Sequence, residues 1–452
     1  MKKIIVPIGL SLLSLTGFSQ VGHVMQGVGA FNMSMGGAAT GQALDISGAL
    51  QWNPASISAF DETSVKLDLG LFFASPELGS SLPANFMWPG SPAVSGITKD
   101  EKGVSLMPAL AMVWGKKDSK HTFGASVFGV SGFGVVFPEE KNAPMDAAGN
   151  PNPNFNPSNP SSPINYPQAA GGFGRVESDY MLLQIGLTYS YSITDKFSVG
   201  IEPTLNYGSL RLMPNPTANP NLSGYPTTES TGSIGFGGQF GLYFDSGSGF
   251  KAGASYKTEQ YMGEMNFSNT YPDKSTGNNL FTMNYPAMLS LGVGYSNDKF
   301  DVALDYRNVD YKNCDGFSTS GWTKTGSVAG FGWDNMTVIS VGLQYKGFEK
   351  LPIRLGYTYN SNPIPSELAF YSVSAPAVIT NAFQLGLSYK LNDKIRIDGV
   401  YHYGTSGDGV EGQMLSPKAV TPQNPLGKLP GTSVSYKMNT SLIMLGLSYK
   451  LN

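Results

Sequence analysis

Apolar residues alternate with small or polar ones along most of this 452-residue chain, and one five-residue phrase recurs within that alternation. The phrase reads apolar, Gly, apolar, any residue, aromatic. It stands at 185–189, 240–244, 291–295, 341–345, 385–389 and 445–449. Large apolar residues on one parity and small or polar ones on the other describe a strand with lipid outside and a filled or wet lumen inside. The closing aromatic suits the membrane interface. The alternation predicts fourteen strands: 62–73, 103–114, 121–136, 178–191, 197–212, 231–244, 250–266, 282–295, 300–311, 335–345, 351–360, 379–389, 395–404 and 434–451. Most are long enough for the ~9–11 residues a tilted membrane strand requires.

The connections sharpen the prediction. Short links at 115–120, 192–196, 245–249, 296–299, 346–350 and 390–394 alternate with long ones such as 74–102, 137–177 and 405–433. Tight periplasmic turns on one rim and long extracellular loops on the other produce that rule. All six phrases then fall on descending strands, with their aromatics at one girdle. A propeller would need four short strands in each ~50-residue blade, and each period here holds two long ones. The expected fold is therefore all-β: a 14-stranded antiparallel transmembrane β-barrel.

Composition agrees without deciding. Only 13% of residues are charged, and the formal net charge of −3 with no basic cluster excludes nucleic acid as a partner. Residues 1–19 read as a signal peptide, with Lys2 and Lys3, a short apolar stretch, then Gly17 and Ser19 at cleavage spacing. The single Cys314 cannot form an internal disulfide. The three histidines, His23, His121 and His402, sit beside no Ser/acid pairing and no metal-ligand cluster. The expectation is a non-enzyme with no metal and no cofactor.

Residues 20–58 do not alternate. They are rich in Gly and Ala and end in Gln51-Trp52-Asn53-Pro54-Ala55. Such a stretch buries too little to fold alone, because the backbone entropy lost is large. It reads as a plug (hatch) inside the lumen, with the barrel occupying 59–452. In this segment Gly27, Gly29, Met35, Gly36, Gly37, Ala38, Asp45 and the hatch motif Asn53, Pro54, Ala55 resemble the N-terminal signature of the FadL family. That family comprises outer-membrane transporters of long-chain fatty acids and hydrocarbons. The resemblance implies a plugged fourteen-stranded barrel in the bacterial outer membrane and passive uptake of a hydrophobic ligand. It also implies a kinked third strand that opens a lateral exit.

In the third strand, Ser131, Gly132, Phe133 and Gly134 are the expected kink, since glycines weaken a strand and mark bends. Parity points Leu442 and Met444 inward as an apolar ligand path. It also points inward the charges Lys66, Asp68, Glu202, Lys251, Asp301, Asp305, Arg307, Arg354, Arg396 and Asp398. Arg307, Arg354 and Arg396 are candidates for a ligand carboxylate. Each has an acidic neighbour, so a plug–wall ion-pair network is the competing role. The expected partners are a hydrophobic small molecule and outer-membrane lipid with lipopolysaccharide, around a monomer. A general porin or adhesion barrel is the competing function.

Overall fold

A computed structural model of the chain describes residues 23–451. The expected signal peptide at 1–19 lies outside the described residues, as do the first three residues of the expected plug. Fourteen antiparallel strands close into one barrel. They are β1 (Thr63–Leu82), β2 (Val104–Trp114), β3 (His121–Phe137), β4 (Val176–Ser192), β5 (Phe197–Met213), β6 (Thr231–Asp245) and β7 (Phe250–Lys257). The second half is β8 (Ala287–Ser296), β9 (Phe300–Asp310), β10 (Met336–Tyr345), β11 (Ile353–Asn360), β12 (Asn381–Lys390), β13 (Ile395–Thr405) and β14 (Ser433–Lys450). Each strand pairs with its sequence neighbour, and β1 pairs with β14 from Ser64 to Ser81, so the sheet closes on itself.

The period-2 pattern sets which side chain meets lipid. On β14, Leu445 is 62% exposed whereas Met444 is 2% exposed. The phrase aromatics Phe244, Tyr295, Tyr389 and Tyr449 all stand exposed on the outer surface near the short-turn rim. Two boundaries differ most from expectation, by nine residues each. β1 runs to Leu82 rather than residue 73, and its upper part pairs with Val94–Lys99. Residues 74–82 include Ser75, Pro76, Glu77 and Gly79, so this part lacks the lipid-facing alternation that marks a strand in sequence. β7 ends at Lys257 rather than 266. The chain beyond it forms a separate hairpin, Met265–Thr270 with Thr276–Phe281.

The long link at 137–177 folds back on itself. Its Asn side chains bind its own backbone, as where Asn142 Nδ2 donates to the Asn156 carbonyl at 2.9 Å. Its later part, including Ile164, Asn165 and Tyr166, is buried.

Inside the barrel lies a segment of short helices: α1 (Ala30–Ser34), α2 (Ile46–Trp52) and a 3-10 turn over Pro54–Ala59. α1 and α2 are buried along their whole length. Asp45 caps α2 by accepting the Ser47 N–H at 3.1 Å, and Asn53 caps the next turn by accepting the Ala55 N–H at 3.1 Å. Pro54 occupies the first position of that turn, where no N–H is required.

Candidate functional site: a plugged lumen with a broken wall

The plug is tied to the wall by buried charges. Lys66 of β1 holds Asp45 of the plug at 2.5 Å, with Asp398 of β13 at 3.5 Å and Asp68 at 3.6 Å. Asp398 also takes Arg396 at 3.0 Å and Arg354 at 3.7 Å. The ring of Phe31 in α1 sits under this group, with Arg354 at 4.0 Å and Arg396 at 4.7 Å from its centre. On the other side Asp305 of β9 accepts the N–H groups of Ala39 and Thr40, each at 2.8 Å. Asp305 also accepts from Arg307 at 2.6 Å. Asn53 Nδ2 donates to the Thr40 carbonyl at 2.8 Å and to the Leu242 carbonyl of β6 at 2.9 Å, so the hatch motif joins plug to plug and plug to wall.

The wall is shaped to receive these contacts. A Cβ on Gly241 would overlap Asn53 Oδ1, one on Gly386 would overlap Ser34, and one on Gly342 would meet the Met35 carbonyl at 2.6 Å. A Cβ on Gly292 would meet Gly41 N at 2.5 Å. These four glycines belong to four copies of the repeated phrase. In these four copies the glycine marks a seat for the plug, whereas Gly186 and Gly446 of the other two face wall side chains.

The wall is also broken. The β2–β3 ladder runs from Trp114↔Phe123 up to Ala109↔Phe128 and stops. Pro108 follows on β2 with no N–H to give. On β3 the register to β4 shifts between Gly129 and Ser131, leaving Val130 as a bulge. Above the break the chain leading into β2 reaches the wall again, where Glu101 N donates to the Val136 carbonyl of β3 at 2.9 Å and Lys102 pairs with Asp179 of β4 at 3.0 Å. Residues 104–108 and 129–135 thus flank a window. The plug's first described residues fill the vacated edge of β3. Met25 N donates to the Val130 carbonyl at 3.0 Å, Gly132 N to the His23 carbonyl at 3.1 Å and Ser131 Oγ to the same carbonyl at 2.5 Å.

The expected kink at Ser131, Gly132, Phe133 and Gly134 falls within this stretch, although the loss of pairing begins lower, after Phe128. Beyond the bulge the β3–β4 ladder continues unbroken to Phe137. Leu442 and Met444 pack inside with Met25, Met33, Phe72 and Met107, beside the window. A cavity lined by Met25, Val28, Met107, Pro108, Gly129 and Met444 opens there. Arg307, Arg354 and Arg396 each hold wall or plug partners. Beyond Asp305, Arg307 donates to the Gly37 carbonyl at 2.6 Å, and Arg354 Nε donates to Ser34 Oγ at 2.5 Å. Gly29 and Gly37 carry φ of 78° and 77°, where a side chain is disfavoured. Met35 and Ala38 pack with Phe31, Gly27 lies against plug residues Asn32, Met33 and Gly37, and Gly36 lies against the wall backbone at Val341 and Tyr357.

Higher in the lumen, His23 is enclosed by aromatics. Its Nδ1 lies 2.8 Å from Tyr311 Oη, and its ring centre is 4.6 Å from Phe317 and 5.9 Å from Trp333. Above it the extracellular loops leave an apolar crevice lined by Phe173, Pro214, Val328, Phe370 and Tyr371. His402 faces Gln384 at 3.1 Å, and His121 pairs with Tyr189 at 2.8 Å on the outer surface. Sequence reasoning missed Val24, Met25, Trp52 and Phe31. Pro108 beside a Gly-rich neighbouring strand was the available signal for the window's other side.

A closed fourteen-stranded barrel with a lumen plug and a lateral break in its wall defines an outer-membrane transport protein. The family described as outer membrane protein transport protein (OMPP1/FadL/TodX) matches residues 164–450, more than half of the chain, and this chain belongs to it. Its members are transport proteins of the bacterial outer membrane rather than enzymes. Among solved structures, a Pseudomonas aeruginosa FadL homologue superposes with a TM-score of 0.67 at 14% identity, over 95% of this chain and 100% of its own. The Pseudomonas putida toluene transporter TodX superposes at 0.64 and 17% identity, covering 94% of this chain and 99% of its own. The Ralstonia pickettii toluene transporter TbuX does so at 0.62 and 17%, with the same coverage. At these identities the likeness is one of fold. No curated protein matches the chain.

Proposed function

We propose that this protein carries hydrophobic molecules passively across the outer membrane and releases them sideways. A ligand enters at the apolar crevice among the extracellular loops, descends past the His23 aromatics and leaves through the window between β2 and β3. The observation that carries this reading is the ladder break above Ala109↔Phe128, with its vacated edge filled by plug residues rather than by β2. A route through the wall spares an apolar molecule the polar periplasmic exit, and a plug seated by buried ion pairs can stay in place while the molecule leaves. The Met and Leu side chains beside the window match such a cargo.

In the same reading residues 1–19 direct export, 20–58 form the plug and 59–452 the barrel. The sheet closes on itself and its one open edge is filled by plug residues, which supports a monomer surrounded by lipid and lipopolysaccharide. The toluene transporters and the FadL homologue that share the fold support a cargo that is hydrocarbon or long-chain acid. The plugged lumen speaks against a general porin.

Uptake of radiolabelled oleate and toluene by outer-membrane-competent cells tests the reading. Saturable uptake that depends on the protein supports it. Free diffusion of small sugars through reconstituted protein, with no saturable hydrophobic uptake, overturns it.

A further inference from the structure

The long link between β7 and β8 builds a second, small sheet at the extracellular end, in the order Thr276–Phe281, Met265–Thr270, Thr227–Thr228. Its hairpin is firmly held. Met265 and Phe267 are buried beneath it. Asn215 Nδ2 donates to Asn269 Oδ1 at 2.9 Å and to Asn279 Oδ1 at 3.0 Å, and Asn269 Nδ2 donates to Asn279 Oδ1 at 2.8 Å. At the tip the Tyr271 hydroxyl donates to the Asn219 carbonyl at 2.8 Å. A strand fixed in this way loses little further freedom when something binds it.

One edge of this sheet is open. Thr227–Thr228 pairs with Met265–Thr270, but among the described residues nothing pairs with the far side of Thr276–Phe281. The hairpin closes where Tyr271 N donates to the Ser275 carbonyl at 2.9 Å, so the hydrogen-bonded pairs that follow are Asn269↔Gly277 and Phe267↔Asn279. The N–H and C=O groups of Thr276, Asn278 and Leu280 therefore point away from the sheet. The side chains of these three residues are exposed, Leu280 to 58%. The run from Thr276 to Phe281 contains no charge and no proline, the usual guards of a bare edge. Gly277 leaves a gap on the other face, where an added Cβ would meet the Tyr271 ring at 3.6 Å and nothing nearer. Elsewhere the chain covers such edges. Ser161 N donates to the Ser95 carbonyl at 3.0 Å beside Val94–Lys99, and the plug occupies the open edge of β3.

We propose that the Thr276–Phe281 edge binds an extended segment of a second protein outside the cell by strand addition, with a large apolar side chain of that segment seated in the Gly277 gap against Tyr271. Donors and acceptors repeated every second residue, about 7 Å apart, are matched by an extended backbone. A second copy of this chain fits less well. Antiparallel self-pairing centred on Asn278 would set Asn279 opposite Gly277, and that amide is already held by Asn215 and Asn269. This surface is separate from the lumen and its cargo.

The test uses the full-length protein in nanodiscs and a short synthetic peptide of alternating Thr and Val with Phe at its centre. Wild-type protein should bind the peptide saturably, and binding should slow hydrogen exchange at 276–280, which is fast in the free protein. Methylating the peptide nitrogens on one edge keeps its side chains and removes its donors, and should weaken binding at least about tenfold. Replacing the central Phe by Gly should weaken it severalfold. Asn278→Pro removes one outward N–H and no ladder bond, and Leu280→Lys sets a charge on the edge. Each should weaken binding with the thermal unfolding midpoint unchanged. No saturable binding, or equal binding of the methylated peptide, overturns the proposal without needing any variant to fold. Slow exchange at 276–280 in the free protein overturns it as well. A wild-type dimer that is lost in Asn278→Pro would show a second copy on this edge and overturns it too.

Discussion

The guanidinium of Arg307, on the barrel wall, lies 3.7 Å from the centre of the Trp52 ring in the plug, while its Nη2 donates to the Gly37 carbonyl at 2.6 Å. One side chain thus joins β9 to both ends of the plug's central turn. Truncating it leaves Asp305 buried without its cation, a change that typically destabilises by about 3–5 kcal/mol. Arg307→Ala should lower the thermal unfolding midpoint, and Arg307→Lys should recover only part of the loss because Lys lacks the planar fork. Thermal unfolding in detergent, followed by circular dichroism, checks this.

The glycine seats predict a position-specific cost. In Gly241→Ala the new methyl meets Asn53 Oδ1, and such overpacking costs about 1–3 kcal/mol. At Gly399 the nearest side chain to an added Cβ is Leu445 at 3.7 Å, an ordinary contact. Gly399→Ala should therefore leave stability unchanged or slightly raised. Equal effects of the two substitutions in the same unfolding assay would remove the seating argument.

Asn53 donates to two carbonyls that have no ready substitute, those of Thr40 and Leu242. Asn53→Ala should loosen the plug, at roughly 1–3 kcal/mol for each buried group left unsatisfied. Asn53→Asp should be worse, because it sets a carboxylate oxygen against those carbonyls. Single-channel conductance in planar bilayers reads the outcome: frequent openings in the variants, few in the wild type.

At the tip of the longest loop, the Asn150 N–H donates to Asp146 Oδ1 at 2.8 Å, and its side chain donates to Oδ2 at 3.2 Å. These bonds hold the Asp146 carboxyl below the usual carboxylate range. A depressed acid contributes stability above its unfolded pKa and loses it as pH falls through the folded one. Hydrogen-exchange protection over 146–152, relative to the intrinsic rate at each pH, should hold at neutral pH and be lost only in acid below the ordinary carboxylate range. Asp146→Ala should exchange fast at neutral pH.

Much of this architecture was legible because lipid imposes a period of two on every membrane strand. The closed barrel, the two kinds of connection and the inward placement of Leu442 and Met444 all follow from that period. The family resemblance read at residues 27–55 covers a part of the chain that the family match at 164–450 does not. Where no lipid imposes a pattern, legibility falls. The upper part of β1 at 74–82 stands outside the alternating signal, and its strand pairing depends on Val94–Lys99, which nothing local announces.

The site was harder to read for a different reason. A buried cation announces itself by parity, but its partner comes from a distant strand: Arg354 meets Asp398 across β11, β12 and β13. Parity could nominate Arg307, Arg354 and Arg396 without showing that each already holds an acid. The window depends on contact between Val130 and a plug residue more than a hundred positions earlier in the chain.

The central claim is that cargo leaves through the window between β2 and β3. Pro108 and Gly129 face the same cavity from its two sides. In a Pro108→Cys/Gly129→Cys variant, bridging the two thiols with a short bismaleimide should reduce oleate uptake to the level of cells lacking the protein. Each single-cysteine variant treated with the same reagent should retain uptake. Full uptake by the bridged protein would contradict a lateral exit at this site.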